Sequence, residues 1–177
     1  MKTHVALLRG VNVSGHNKVG MKELRARLLG LGFQDIATYI QSGNVVFKTS
    51  AASDVAPLIE RDLRQGFGVS VTVLLRTKEQ LRRVSTQNPF LRRGIDPASL
   101  HVTFLAETPK PARVRELTAK VSGPDELVVR GREVYLRCPN GYGRTKLTNT
   151  FLERQLGSPA TTRNWRTVLQ LVAMTDA

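Results

Sequence analysis

The chain has a single cysteine, Cys138, which excludes an internal disulfide and a cysteine-built zinc cluster. A lone thiol suits a reducing compartment. Histidine is almost as scarce. His4, His16 and His101 are scattered, no pair has metal-ligand spacing, and no metal is expected. The 14 acidic residues are dispersed, so paired carboxylates for acid–base chemistry are not evident. Long apolar runs are missing too, since stretches such as Val69 to Leu75 are far too short to span a bilayer. The opening Met1-Lys2-Thr3-His4 leads into a short run that ends at Arg9, which is not the pattern of a secretory leader. A cytoplasmic location with no membrane partner is expected.

What the chain does have is positive charge, with 27 Lys and Arg against 14 Asp and Glu and a net charge of +13. Such a surface attracts nucleic acid, nucleotides or other polyanions. The basic residues are spread along the whole chain without a dense tail, and arginine outnumbers lysine. Charge alone is therefore equally the mark of a solvated basic surface. The apolar share of 41 % is ordinary for a globular protein, and 177 residues can bury a core as one domain or two small ones.

Periodicity divides the chain into two halves of the same rhythm. Thr3 to Leu8 reads as a strand, followed by a helix with Met21, Leu24, Leu28 and Leu31 on one face and Gly32 as its stop. Ile36 to Ile40 and Val45 to Lys48 form a hairpin through Gln41-Ser42-Gly43-Asn44. A second helix opens at Ser53 or Asp54, tolerates Pro57 in its first turn and buries Ile59 and Leu63; Val69 to Leu75 reads as the closing strand. A short helix with a capping box, Thr77 and Gln80, turns Leu81 and Val84 inward.

Asn88-Pro89 and Asp96-Pro97 bracket a linker, and the order then repeats: strand Leu100 to Leu105, a helix from Pro111, and a hairpin around Gly131-Arg132. A helix from Thr145 to Leu156 follows, then a short extended piece and a last helix capped by Asn164. No residue-level repeat accompanies the order. The expected fold is α+β: two tandem ferredoxin-like β-α-β-β-α-β subdomains with antiparallel sheets, plus extra helices. The expected boundaries are residues 1–76, a connecting helix and linker at 77–98, and 99–177. Right-handed crossovers put the loop after the first strand beside Gln41 to Asn44, and Pro139 to Lys146 beside Thr161 to Asn164.

Both places carry basic, glycine-bearing loops that lead into helices: Arg9-Gly10-Val11-Asn12-Val13-Ser14-Gly15-His16-Asn17-Lys18 and Pro139-Asn140-Gly141-Tyr142-Gly143-Arg144-Thr145-Lys146. Helix N-termini leave backbone N–H groups unpaired and favour anions. The candidate ligand-binding residues are Arg9, Asn12, Lys18, Ser42 and Asn44 at one pole, and Arg144, Lys146, Arg163 and Asn164 at the other. Lys146 is expected in a helix's first turn and Arg163 just before a helix cap, where cations oppose the dipole unless an anion intervenes. The alternative is that Arg163 pairs with an acid such as Glu153 and that Trp165 is plain core.

The first loop has neither Walker spacing nor the dinucleotide fingerprint, and no cofactor is expected. Ser42 as a nucleophile has only His16 nearby as a base, with no acid to orient it. Cys138 sits at the mouth of the second loop, where cations could lower a thiol pKa, but a structural cysteine is the preferred reading. Sheet-face base stacking is disfavoured, because only Phe47 is offered and the RNA-recognition signature is missing. The leading expectation is a binding module for a phosphate-bearing or other anionic ligand. The alternatives are a nucleic-acid-associated protein with distributed Arg/Lys contacts and an enzyme using Ser42, His16 or Cys138.

Leu7 to Val13, Met21, Glu23-Leu24, Gly32-Phe33 and Thr38 to Phe47 resemble the opening of the bacterial proteins grouped as domain of unknown function 1697. The resemblance continues through Asn88-Pro89-Phe90, Val134-Tyr135-Leu136, Thr145-Lys146-Leu147 and Ala160 to Val168. It implies a compact α+β fold of two related subdomains and supplies no activity. The family often has a glycine pair where this chain has Ser14-Gly15, and a serine where it has Thr145.

Overall fold

The computed structural model describes residues 1–91 and 94–177. By its contacts the chain divides into two compact units, Met1–Arg82 with Gln170–Ala177, and Arg83–Leu169. The first holds β1 (Lys2–Leu8), α1 (Met21–Gly30), β2 (Gln34–Tyr39), β3 (Asn44–Thr49), α2 (Val55–Phe67) and β4 (Val73–Thr77), and α3 (Lys78–Thr86) begins in it. The second holds β5 (Leu100–Leu105), α4 (Pro111–Lys120), β6 (Glu126–Arg130), β7 (Glu133–Arg137), α5 (Asn149–Leu156) and β8 (Ala160–Asn164), and α6 (Trp165–Thr175) begins in it. The fold is α+β, with two four-stranded antiparallel sheets ordered β2-β3-β1-β4 and β6-β7-β5-β8.

Strand alternation sends Ala6, Leu8, Val45 and Phe47 to the helix-covered face of the first sheet, where they pack with Leu24, Leu28, Ile59 and Leu63. Phe47 is fully buried and stacks on Phe33 at 4.7 Å, so no base can reach it. Val5, Leu7, Val46 and Leu74, on the opposite face, are buried as well. In the second unit Leu105, Val134, Leu136 and Cys138 join Leu117, Leu147, Leu152 and Leu156.

The helix ends follow from local chemistry. Gly32 at φ +86° donates to Leu29 O while Phe33 donates to Leu28 O, a Schellman closure of α1. Thr77 and Gln80 form the reciprocal capping box of α3, and Asn164 Oδ1 accepts from Thr167 N at 2.8 Å to cap α6. Two elements start four residues later than the periodicity suggests. The closing strand of the first unit is Val73–Thr77, because pairing of Leu8 with Val73 sets its start, while Val69 and Val71 pack on the core without pairing. Helix α5 begins at Asn149 rather than Thr145, because Thr148 is its cap, with Oγ1 accepting from Phe151 N.

Burial also fixes a pH response. Tyr135 in β7 is 3 % exposed, and burial pushes its phenol up to about 12. The unfolded chain then loses its proton first, so stability is lost as pH rises from 10 through 12, by about 3 kcal/mol for this group. Urea titrations at pH 9 and pH 12 should show the fall, and Tyr135→Phe should reduce it. An equal fall in the variant would place its cause elsewhere.

Candidate functional site

The first pole is a loop folded onto itself. Gly10, Asn12, Ser14, Gly15 and Asn17 all adopt positive φ, and His16 N donates to Val13 O at 2.8 Å. Asn12 holds the loop to the hairpin turn: its Nδ2 donates to Val19 O at 2.9 Å and Gln41 O at 2.6 Å, and its Oδ1 accepts from Val19 N. The loop and the turn are therefore neighbours, as the topology requires. Asn12 is, however, spent on the backbone.

Asn44 is fully buried and donates to Tyr39 O and to Ser42 Oγ, each at 3.0 Å, so both side chains shape the turn. Arg9 is half-buried with its N–H on Thr72 O, and Lys18 is exposed. At the α1 N-terminus, Glu23 already supplies negative charge to the dipole. These donors serve the fold first.

The second pole opens into a cleft of about 400 Å³ within the second unit. Lys120 from the end of α4, and Arg144 and Lys146 from the loop, bring three cations to its wall. Val121, Leu147 and Phe151 form an apolar side, and Asn140 and Asp125 add polar groups. Asp125 Oδ2 accepts from Thr145 Oγ1 at 2.6 Å, and Thr145 Oγ1 accepts from Leu147 N, which ties the loop to the start of β6. Among the described residues no carboxylate pairs with Arg144 or Lys146, while Lys120 Nζ donates to Gln155 Oε1 at 3.0 Å. Helix α5, which starts beside them, has no acidic residue in its first turn. With Asp125 the one acidic side chain among the lining residues, the cleft keeps an excess of positive charge.

The grouping differs from the expected one in three ways. Lys146 lies three residues before α5, in the segment after the 3-10 turn Tyr142–Arg144, and not in the helix's first turn. Arg163 does not join Arg144 and Lys146. Ala160 and Thr162 face the helices, through the core and Asn149, so alternation along β8 turns Arg163 to the other face of the sheet. There it is 7 % exposed, its Nη1 donates to Thr161 Oγ1 at 2.7 Å and Thr162 O at 3.0 Å, and burial pushes it down to about 10, still charged at neutral pH. Asn164 serves as the α6 cap, and Trp165 is buried. Lys120, which sequence reasoning missed, takes the third place. Its signal was the adjacency of two helices covering one sheet, which puts the last turn of α4 beside α5.

The thiol candidate is closed to chemistry. Cys138 is fully buried, and burial, partly offset by the Thr145 hydroxyl, pushes its pKa up. It should resist iodoacetamide in the native protein at pH 8 and react stoichiometrically in 6 M guanidinium. Rapid native alkylation would overturn the assignment. Tyr142 stacks on His101 at 4.9 Å beside a hydroxyl network in which Thr103 and Thr162 meet at 2.7 Å, a packed floor beneath the loop. A smaller cavity of about 230 Å³ by Lys110 and Arg113 carries Glu107 on its wall, and Arg113 is turned to the α5 carbonyls of Arg154 and Gln155. Among the described residues no group of three or more His, Cys, Asp or Glu stands where it could hold a metal, and no helix is long and apolar enough to cross a membrane.

Comparison with known proteins bears on the fold and the family. A conserved bacterial protein from Streptococcus pneumoniae has a similar structure, with a TM-score of 0.74 over 98 % of each chain at 23 % identity. That likeness is one of fold. No curated protein matches the chain. The family model described as protein of unknown function, DUF1697, matches residues 1–135. The segment runs from β1 into β7 and takes in the first basic loop and the Asn88-Pro89-Phe90 motif; the chain belongs to the DUF1697 family.

Proposed function

We propose that the protein is a cytoplasmic binding module for a phosphate-bearing or similarly anionic ligand, seated in the Lys120, Arg144 and Lys146 cleft. The observation that carries this reading is three cations lining one cleft, none of them paired with a carboxylate among the described residues. Like charges so placed repel one another, and an anion among them relieves the repulsion while accepting charge-assisted hydrogen bonds. The first pole contributes less, since Asn12, Ser42 and Asn44 are committed to the loop and turn.

The scaffold is read as two tandem ferredoxin-like subdomains. Their sheets share one strand order, and the registers also correspond: His4 faces Thr77 and Val5 faces Arg76, as His101 faces Asn164 and Val102 faces Arg163. In both halves the fourth strand carries a buried arginine one residue before a helix cap. This residue-level correspondence supports a duplicated unit.

Calorimetric titration with inorganic pyrophosphate tests the reading. Binding at 20 mM salt that weakens at 300 mM is the expected result. Absence of heat at low salt would refute it. The net charge of +13 favours a second reading, distributed contacts to nucleic acid backbone, which instead requires tight oligonucleotide binding with a steep salt slope.

A further inference from the structure

The geometry points to a mononucleotide-like ligand for the second-pole cleft: a phosphate joined to a flat ring, with the ring on Phe151 and the phosphate on Arg144 and Lys146. The inference rests on the anion reading above and goes beyond it. A volume of about 400 Å³ lies within the small-molecule range of roughly 300–1,000 Å³ and is far larger than a bare phosphate fills. One wall is apolar: Leu147 is nearly buried, and Phe151, in the first turn of α5, is only partly covered by the core. A half-buried aromatic side chain lining a cationic cleft is wasted on an inorganic anion. It suits a heteroaromatic ring, because base–aromatic stacking contributes about 1–3 kcal/mol.

The polar groups fit the same ligand. Lys120 Nζ donates to Gln155 Oε1, one turn beyond Phe151 on α5, so a third cation stands near the ring position. Asp125 Oδ2 accepts from Thr145 Oγ1, and Oδ1 offers an acceptor for a hydroxyl or amino donor on the wall. A sugar hydroxyl or an exocyclic amine supplies such a donor. The cleft holds one nucleotide unit and not a strand.

The test compares AMP, ribose 5-phosphate and inorganic phosphate by calorimetry on the full chain, with a 5′-phosphorylated ten-nucleotide strand as a fourth probe. AMP should bind at least tenfold more tightly than either smaller anion, and no more weakly than the strand counted per end. Phe151→Leu, which keeps the residue's packing on the core, should erase that preference while leaving the phosphate affinity unchanged. If all anions bind equally, or Phe151→Leu weakens them equally, the ring site is refuted and the anion reading survives. If none binds, the anion reading fails. A strand at least a hundredfold tighter than AMP would refute the mononucleotide assignment in favour of nucleic acid.

Discussion

Replacing Gly43 by alanine should lower the melting temperature by roughly 10 °C. Gly43 closes the turn between β2 and β3 at φ +84°, and its carbonyl accepts from Leu8 N at 2.8 Å. A β-carbon here would stand 2.6 Å from Val11 Cγ2 and 2.7 Å from Leu8 Cβ. Neither neighbour can retreat, because Leu8 and Val11 are both about 1 % exposed and Leu8 belongs to a central strand. The left-handed conformation costs an L-residue about 1–2 kcal/mol. Overpacking against a fixed core adds about 1–3 kcal/mol. Together these are roughly 3 kcal/mol, and at about 2–4 °C per kcal/mol for a chain of this size the shift is near 10 °C. A scanning calorimeter reads it directly. A shift below 2 °C would show that the turn relaxes and that the contact with Leu8 and Val11 is loose.

Removing both loop cations should weaken anion binding by about a hundredfold without harming the fold. Arg144 and Lys146 are exposed and have no carboxylate partner among the described residues. Each charge-assisted hydrogen bond lost is worth about 1.5 kcal/mol or more, which is about tenfold in affinity per residue. Exposed side chains away from structural features change stability by about 0.5 kcal/mol at most. Arg144→Ala/Lys146→Ala should therefore keep the parent melting temperature in the absence of anion, or exceed it slightly because repulsion with Lys120 is gone. With 10 mM pyrophosphate present, the parent should gain stability and the variant should not. A stabilised variant would place the anion elsewhere, and a variant that unfolds would make the loop cations structural.

Much of the fold was written in local chemistry that does not depend on distant contacts. Gly32, the Thr77–Gln80 pair and Asn164 end or start helices by satisfying backbone groups a few residues away, so their spacing suffices to read them. The neighbourhood of the first loop and the hairpin turn followed from topology alone. What escaped reading depends on register. Val69 and Val71 are as apolar as a strand requires, yet pairing with β1 starts at Val73, a choice made by the partner strand. Thr145 and Thr148 both have cap chemistry, and only the tie from Thr145 to Asp125, 20 positions away, shows which one starts α5.

Arg163 shows the same limit at the site. A shift of one residue along β8 would have turned it toward the loop, and the sequence does not number the pleat. Lys120 was hidden for the opposite reason. A lysine in the last turn of a helix is ordinary dipole chemistry, and its approach to Arg144 and Lys146 exists only once α4 and α5 lie side by side.

The most direct measurement is a two-dimensional amide NMR titration with pyrophosphate at low salt, following both basic loops at once. The binding account predicts saturable shifts at Asn140, Gly143, Lys146 and Leu147, with the amides of Gly10 to Lys18 nearly still. Shifts centred on Gly10 to Lys18, or small linear drifts across every exposed basic residue, would contradict it.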